Sequence, residues 1–370
     1  MITISLCMIV KNEQSVIGRC LDTVADLVDE LIIVDTGSTD DTASVVKQFG
    51  AQEYSYAWND DFAAARNYAF QQASKDYILW LDADDVIEQA EREKLRDLKH
   101  TLDPEVDAVS MLYLLSKDEF DNVTFSLRRN RLVRRTRNFR WIGAVHEYME
   151  VGGRIVHSDI AVTHLGAITD KAADRNLRIY KRLLEVGKEL SPRDMYYYAN
   201  ELKDHGFHRQ AIMHYESFLN GGKGWVEDNI SACCKLADCY HALGDRRSEL
   251  ESVLRSLQYD LPRSESCCRL GYYFLEQKNY HAAITWYTLA IESRLPDGHL
   301  GFVNPTFATW LPHLQLSVCY DRIGQYERAR LYNERALAYR PGDPRMLQNR
   351  AYFQSKLENP TLVSAGATTS

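Results

Sequence analysis

The sequence predicts a doubly wound α/β domain with a mostly parallel sheet, followed by an all-α domain of paired helices. Three observations carry that prediction. Apolar runs alternate with helical patterns up to about Asp170, three of those runs end in polar clusters, and from about Ser191 small residues recur in pairs twelve positions apart.

The first element is "TISLCMIV", an unbroken apolar run that reads as a buried strand. A helix follows over Ser15 to Asp26, then a second strand "ELIIVD", then a helix over Asp40 to Phe49 opened by the "GSTDDT" turn. After a helix over Ala63 to Ala73 comes the strand "DYILWLD", which gives the order βαβαβ. Strands that are apolar throughout belong to parallel sheets covered on both faces, and such sheets take their ligands beyond the carboxyl ends of the strands. Asn12 and Glu13 follow the first strand, Asp35 to Ser38 the second, and Asp82 to Asp85 the "YILWL" run. Gathering carboxylates costs free energy unless a cation or donors meet them. Turn or helix capping would account for Asp35 or Asp82 singly; three polar strand ends on one rim point to a ligand.

The chain has 370 residues, 45% of them hydrophobic, enough for two cores. A formal net charge of -8 argues against nucleic acid and anionic membranes as partners. The exception is "LRRNRLVRRTRNFRW", with seven arginines between Arg128 and Arg140, but it lies within the α/β segment and carries no nucleic-acid-binding motif. "MITISLCMIVKNE" has no basic leader and no later segment approaches the ~20 apolar residues of a membrane span, so the sequence reads as cytoplasmic. The eight cysteines form no metal knuckle. Cys233 and Cys234 precede Cys267 and Cys268 by thirty-four residues, which marks a repeat of core thiols.

In the second half Ala199 pairs with Ala211, Ala237 with Glu249, Gly271 with Ala283 and Ser317 with Ala329, with glycines at Gly206, Gly244 and Gly324. The clearest unit is "RLGYYFLEQKNYHAAITWYTLAIE", and an insertion around "RLPDGHLGFVNP" precedes the last. This resembles the tetratricopeptide repeat, in which stacked helix pairs form an extended concave surface. The expected layout is a first domain over 1–170, a connecting helix over 171–190, repeats over 191–345, and a terminal helix with a disordered tail over 346–370.

"IIVDTGSTDDT", "WNDDFAAARNYAF", "WLDADD" and "WIGAVHEY", in that order, resemble the family 2 glycosyltransferases of GT-A fold, a Rossmann-like arrangement. The narrower resemblance is to bacterial members with tetratricopeptide repeats, including the peptide S-glycosyltransferases of glycopeptide bacteriocin pathways. It implies that Asp82 faces the ribose of a nucleotide-diphosphate sugar, UDP-linked, and that Asp84 ligates Mg²⁺ or Mn²⁺, with His164 of "VTHLGA" as a further metal ligand. Asn12, Glu13, Asp35, Asp61, Arg66 and Arg131 fall at positions that line the donor, Arg131 and Arg134 matching an Arg-x-x-Arg element. The competing role for Arg66 is a surface pair with Asp60 or Asp61. Glu147 of "GAVHEY" is the expected base of an inverting transfer and His146 its companion; Asp85 is the alternative base, and a structural ion pair the alternative role of Glu147. Asp35-Thr36-Gly37-Ser38 departs from the family's usual Asp-Asp-Gly-Ser, which implies a different contact to the base, and a QxxRW element is absent.

The resemblance thus implies an inverting, metal-dependent transfer of one sugar to a Cys or Ser of a peptide held along the repeat groove. Alternatives are a cell-surface glycan acceptor, or a tetratricopeptide adaptor whose transferase domain is inactive. Self-association into a homodimer stays open.

Overall fold

A computed structural model describes residues 1–166, 170–296 and 298–358. The chain forms two compact units. The first comprises residues 1–116, 126–206 and 298–302, the second residues 117–125, 207–297 and 303–370.

In the first unit the elements run β1 (Ile4–Val10), α1 (Ile17–Asp22), β2 (Glu30–Asp35), α2 (Thr42–Gln48), β3 (Gln52–Ser55), α3 (Phe62–Gln72), β4 (Tyr77–Trp80), β5 (Asp85–Val86), α4 (Gln89–Thr101), β6 (Ala108–Lys117), β7 (Val123–Arg134), β8 (Trp141–Ile142), β9 (Tyr148–Met149), β10 (Ile155–His164), α5 (Asp170–Glu185) and α6 (Pro192–Asp204). One sheet has the order β3-β2-β1-β4-β7-β6-β10-β5, and β8 pairs with β9 in a small second sheet. β1 runs parallel to both β2 and β4, β2 to β3, and β6 to β10, whereas β4–β7 and β10–β5 are antiparallel. The sheet is therefore mostly parallel, as expected.

The expected order βαβαβ omits β3. "QEYS" has no apolar run because it is an edge strand, and only Tyr54 is shielded. The central strands bury both faces. Leu6, Met8, Leu79 and Val109 join one core with Ile17 and Leu21, while Cys7, Ile32, Val34 and Ile78 join another with Ala69 and Ala73. Because β1, β2 and β4 point the same way, their carboxyl ends open on one rim, which carries all three polar clusters.

The second unit is helical: α7 (His208–Gly221), α8 (Val226–Ala242), α9 (Arg246–Arg255), α10 (Ser264–Glu276), α11 (Tyr280–Glu292), α12 (Trp310–Arg322), α13 (Tyr326–Tyr339) and α14 (Pro344–Glu358). The small-residue register has a packing cause: a Cβ on Gly271 would stand 2.8 Å from the ring of Tyr287 on the paired helix. Gly206, Gly244 and Gly324 all have φ near +75, the left-handed turn that ends a helix, and Lys278 takes the same conformation at φ 60 in the third unit, thirty-four residues after Gly244. All eight cysteines are buried as thiols. The units divide after Gly206, not near residue 191, so the two helices expected as the first repeat, α6 and α7, fall in different units. The tail over 359–370 lies outside the described residues. Among the described residues no helix is long and apolar enough to cross a membrane.

Candidate active site

The site is built at the end of β4. Its centre is Arg66 of α3, whose Nη2 donates to Asp82 Oδ1 at 2.6 Å and whose Nε donates to Glu147 Oε1 at 2.7 Å. The guanidinium lies 5.1 Å from the ring of Trp80 and 4.9 Å from that of Trp141, and the two rings meet edge to face at 4.6 Å. Asn67, the next residue, accepts from the Trp141 amide at 2.9 Å and donates to its carbonyl at 3.0 Å. Two adjacent helix residues thereby fix β8 and hold the arginine between aromatic walls. Neither Asp60 nor Asp61 pairs with Arg66: Asp60 accepts from Trp58 Nε1 and Arg182, and Asp61 caps α3 by accepting from the Ala64 amide at 2.9 Å. Burial opposes ionisation of Asp82, yet the guanidiniums of Arg66, Arg131 and Arg129 hold its carboxyl well below the ordinary range.

Arg131 is fully buried on β7, 3.9 Å from the Trp80 ring and 4.4 Å from the Tyr113 ring, with its Nη2 3.0 Å from Asp85 Oδ2. Asp85 also accepts from the Asp82 amide at 3.0 Å and from the Tyr113 hydroxyl at 2.8 Å. It has no exposed surface, so its work is to hold the turn of "DADD", and it offers no open face to an acceptor.

Beside it, Asp84, Asp85 and His164 bring one potential ligand atom each to within 4.8 Å of one another. His164 Nδ1 is 3.4 Å from Asp84 Oδ1, and Asp84 and Asp85 push this imidazole up to about 10 against its burial. A Cβ on Gly166 would lie 2.0 Å from Asp84 Oδ2 and 2.8 Å from His164 Cε1, which is why "HLG" ends in glycine. Carboxylate oxygens with one imidazole suit Mg²⁺ or Mn²⁺. Asp84 and His164 keep accessible faces, at 30% and 21% of side-chain surface, whereas Asp85 is already committed.

Burial, followed by the charges of Asp84, Asp40 and Asp82, pushes the Glu13 carboxyl up to about 7, against the pull of Arg175. An acid raised in the folded state costs stability once pH exceeds its unfolded value near 4.5. The cost grows until pH passes about 7, then levels off. Glu13→Gln should accordingly raise the melting temperature of the metal-free protein by about 2–4 °C at pH 8 and leave it nearly unchanged at pH 4.5. Differential scanning calorimetry at the two pH values checks this, and equal shifts at both would contradict it.

Asn12 and Asp35 do local work. Asn12 (φ 58) accepts from the Thr39 amide at 2.7 Å, and its own amide donates to Ser38 Oγ at 2.9 Å. Asp35 Oδ1 accepts from the Gly37 and Ser38 amides, both at 2.7 Å. These bonds set the rim beside Glu13, and the capping role weighed for Asp35 is present. His146 (φ 51) turns toward α6: its Nε2 is 2.7 Å from Glu201 Oε1, its ring stacks on Tyr197 at 4.3 Å, and its carbonyl accepts from Arg193 Nε at 3.3 Å. These three partners all lie on α6, while its neighbour Glu147 bonds Arg66. Arg134 pairs with Glu105 and Asp107, so only Arg131 of the Arg-x-x-Arg element reaches the site.

Sequence reasoning passed over Asn67, Tyr113, Trp141 and Arg175. Trp141 and Asn67 stood inside quoted motifs, and their role needed the fold to bring α3 against β8. Arg175 on α5 carried no motif at all.

Residues 5–148 match the model of glycosyl transferase family 2, and residues 264–295 that of a tetratricopeptide repeat. The chain is 39% identical over 150 residues to a TPR repeat-containing protein of Synechococcus elongatus, which covers 40% of this chain and 36% of that one. It is 28% identical to the SPbeta prophage-derived glycosyltransferase SunS of Bacillus subtilis over 329 residues, 82% of this chain and 74% of that one. A lipopolysaccharide core biosynthesis glycosyltransferase, LpsC of Rhizobium meliloti, is 30% identical over 99 residues, 26% of this chain and 36% of that one. The alignment thus spans about a third of two of these relatives and three quarters of the other. The Arg66–Asp82–Glu147 cluster at the end of β4 falls wholly within the matched segment, and residues 5–148 are a family 2 glycosyltransferase domain, joined in this chain to tetratricopeptide repeat sequence.

Proposed function

We propose that the chain moves one sugar, with inversion, from a UDP-linked donor to a Cys or Ser of a peptide acceptor held along the repeats. The observation that carries this reading is the Arg66 bridge, which ties the first acid of the "DAD" triplet to Glu147 through one buried guanidinium. An inverting transfer needs a donor anchor and an acceptor-side carboxylate at fixed separation, and Arg66 supplies that spacing. Asp82 faces the ribose, and Asp84 and His164 would hold the cation. A bound divalent cation would offset the charge of the departing diphosphate. Glu147 gives Oε1 to Arg66 and takes the nucleophile's proton on Oε2. His146, anchored to α6, fixes the loop that presents Glu147.

The peptide acceptor rests on the resemblance to peptide S-glycosyltransferases and on the capacity of stacked helix pairs to bind an extended chain. A second reading, a glycan acceptor, is favoured by the identity with LpsC over the matched segment. The deciding experiment offers the full chain a panel of nucleotide sugars with Mn²⁺, Cys- and Ser-containing peptides and glycan acceptors, reading products by mass spectrometry and anomeric configuration by NMR. Transfer to peptide with inversion is expected. Neither transfer nor donor hydrolysis with any nucleotide sugar would leave the inactive adaptor as the better account.

Asp84→Ala is expected to remove the thermal stabilisation conferred by UDP with Mn²⁺. In the parent that should amount to about 2.7 kcal/mol at a hundredfold excess over Kd. In the ligand-free variant, relief of carboxylate repulsion is set against loss of the contact with His164, so the reading is the ligand-induced shift of each protein relative to its own ligand-free form. Undiminished stabilisation by UDP and Mn²⁺ would remove Asp84 from the donor site.

A further inference from the structure

Arg175 is a guanidinium near this site whose contacts do not explain it. It sits on α5, packed 4.7 Å over the ring of Phe62 at the start of α3. Its Nε is buried without a hydrogen-bond partner, and among the described residues it makes no ion pair. The site's other buried arginines behave differently: Arg66 touches Asp82 and Glu147, and Arg131 touches Asp85. Burial, with the like charge of Arg178, lowers the pKa of Arg175 against the pull of Glu147, Glu13 and Glu201, so the fold holds a positive charge there at a cost that no carboxylate contact among the described residues offsets. A guanidinium laid on an aromatic face keeps its edge N–H donors directed away from the ring, the arrangement that receives a phosphate in the guanidinium plane.

We infer that Arg175 binds the donor's terminal diphosphate oxygens, standing over Phe62 between Glu13 on the nucleotide side and Glu147 on the acceptor side. This rests on the reading of the site as a nucleotide-sugar transferase and adds a binding residue to it. The diphosphate gains negative charge as the bond from the anomeric carbon to its β-phosphate oxygen breaks, with the electron pair leaving on that oxygen. A guanidinium there stabilises the departing group more than the intact donor. Glu13 and Glu147 keep Arg175 near the site through their charge, and their lack of direct contact leaves its donors to the substrate.

The test is calorimetric titration of the full chain with UDP, GDP, dTDP and ADP, and with the matching monophosphates, in Mn²⁺. For whichever diphosphate the parent binds, Arg175→Met should weaken binding about ten- to a hundredfold, the worth of one charge-assisted hydrogen bond or two, and should change monophosphate binding less than about twofold. Arg175→Lys keeps the charge and covers the case in which the neutral variant does not fold; it should lose less of the preference for diphosphate over monophosphate. If Arg175→Met, or Arg175→Lys where only that folds, leaves the preference at the parental value, the inference is overturned while the donor site stands. Equal loss for both nucleotides would also overturn it, because Arg175 would then act on the shape of the site. A parent that binds none of the four diphosphates overturns the donor-site reading itself, and this inference with it.

Discussion

Arg66→Met should destabilise the protein by about 3–5 kcal/mol, because it removes the cation that directly contacts two partly buried carboxylates. Asp82 and Glu147 each lie within 2.7 Å of that guanidinium. With Arg66 gone, the burial that opposes Asp82's charge is met only by Arg131 and Arg129, so the carboxyl of Asp82 moves upward. In the parent, the depressed Asp82 contributes stability that is present above its unfolded pKa of 3.8 and is lost as pH falls through its lower folded value. The variant lacks that contribution, and its stranded carboxylates are relieved by protonation. The stability gap between parent and variant should accordingly be widest near neutral pH and narrow below about pH 4. Urea titrations at pH 7 and pH 4 measure both values. A gap under about 1 kcal/mol at pH 7 would reduce the bridge to a surface-type pair. Asp82→Asn in the Arg66→Met background should recover part of the loss, as expected for groups coupled through one partner.

Why Arg66 was legible as a site residue but not as this bridge follows from where its partners lie. Asp82 is sixteen residues away and Glu147 eighty-one. Local reasoning could see only Asp60 and Asp61, which the fold uses instead to pair with Arg182 and to cap α3. The rim itself was readable because apolar runs end abruptly in polar residues, and parallel pairing of β1 with β2 and β4 places those ends together. β3 was not, since an edge strand with only Tyr54 shielded shows no apolar run. The metal-ligand pair Asp84 and His164 was proposed from two motifs eighty residues apart; β10 pairs antiparallel with β5 and sets His164 opposite Asp85, which makes the two motifs one cluster. The repeats were visible through small residues and glycines because each answers a steric demand, the ring of Tyr287 at Gly271 or a left-handed turn at Gly244. Their beginning was not. α6 has the composition of a repeat helix but belongs to the first unit and gives Glu201 to His146.

Glu147→Gln should lower turnover by about 10²- to 10⁴-fold with little change in donor affinity, the effect of deleting a general base while keeping its shape. The amide oxygen of the substituted side chain can still accept from Arg66 where Oε1 does in the parent, so the bridge of hydrogen bonds persists and only the basic oxygen is lost. The choice of acceptor sharpens the test. A cysteine thiol ionises near pH 8.5, whereas a serine hydroxyl needs its proton removed during attack, so a serine peptide should lose more than a cysteine peptide in the same series. Raising the pH should restore part of the cysteine reaction in the variant, because solvent then supplies the thiolate, and should do little for serine. The contact with Arg66 also allows Glu147 a purely structural role. That role predicts the opposite pattern: a lower melting temperature, with kcat on folded protein the same as the parent's for both acceptors. Parental kcat on a serine peptide would therefore take Glu147 out of the chemistry and leave it as the second carboxylate that holds Arg66 between Trp80 and Trp141.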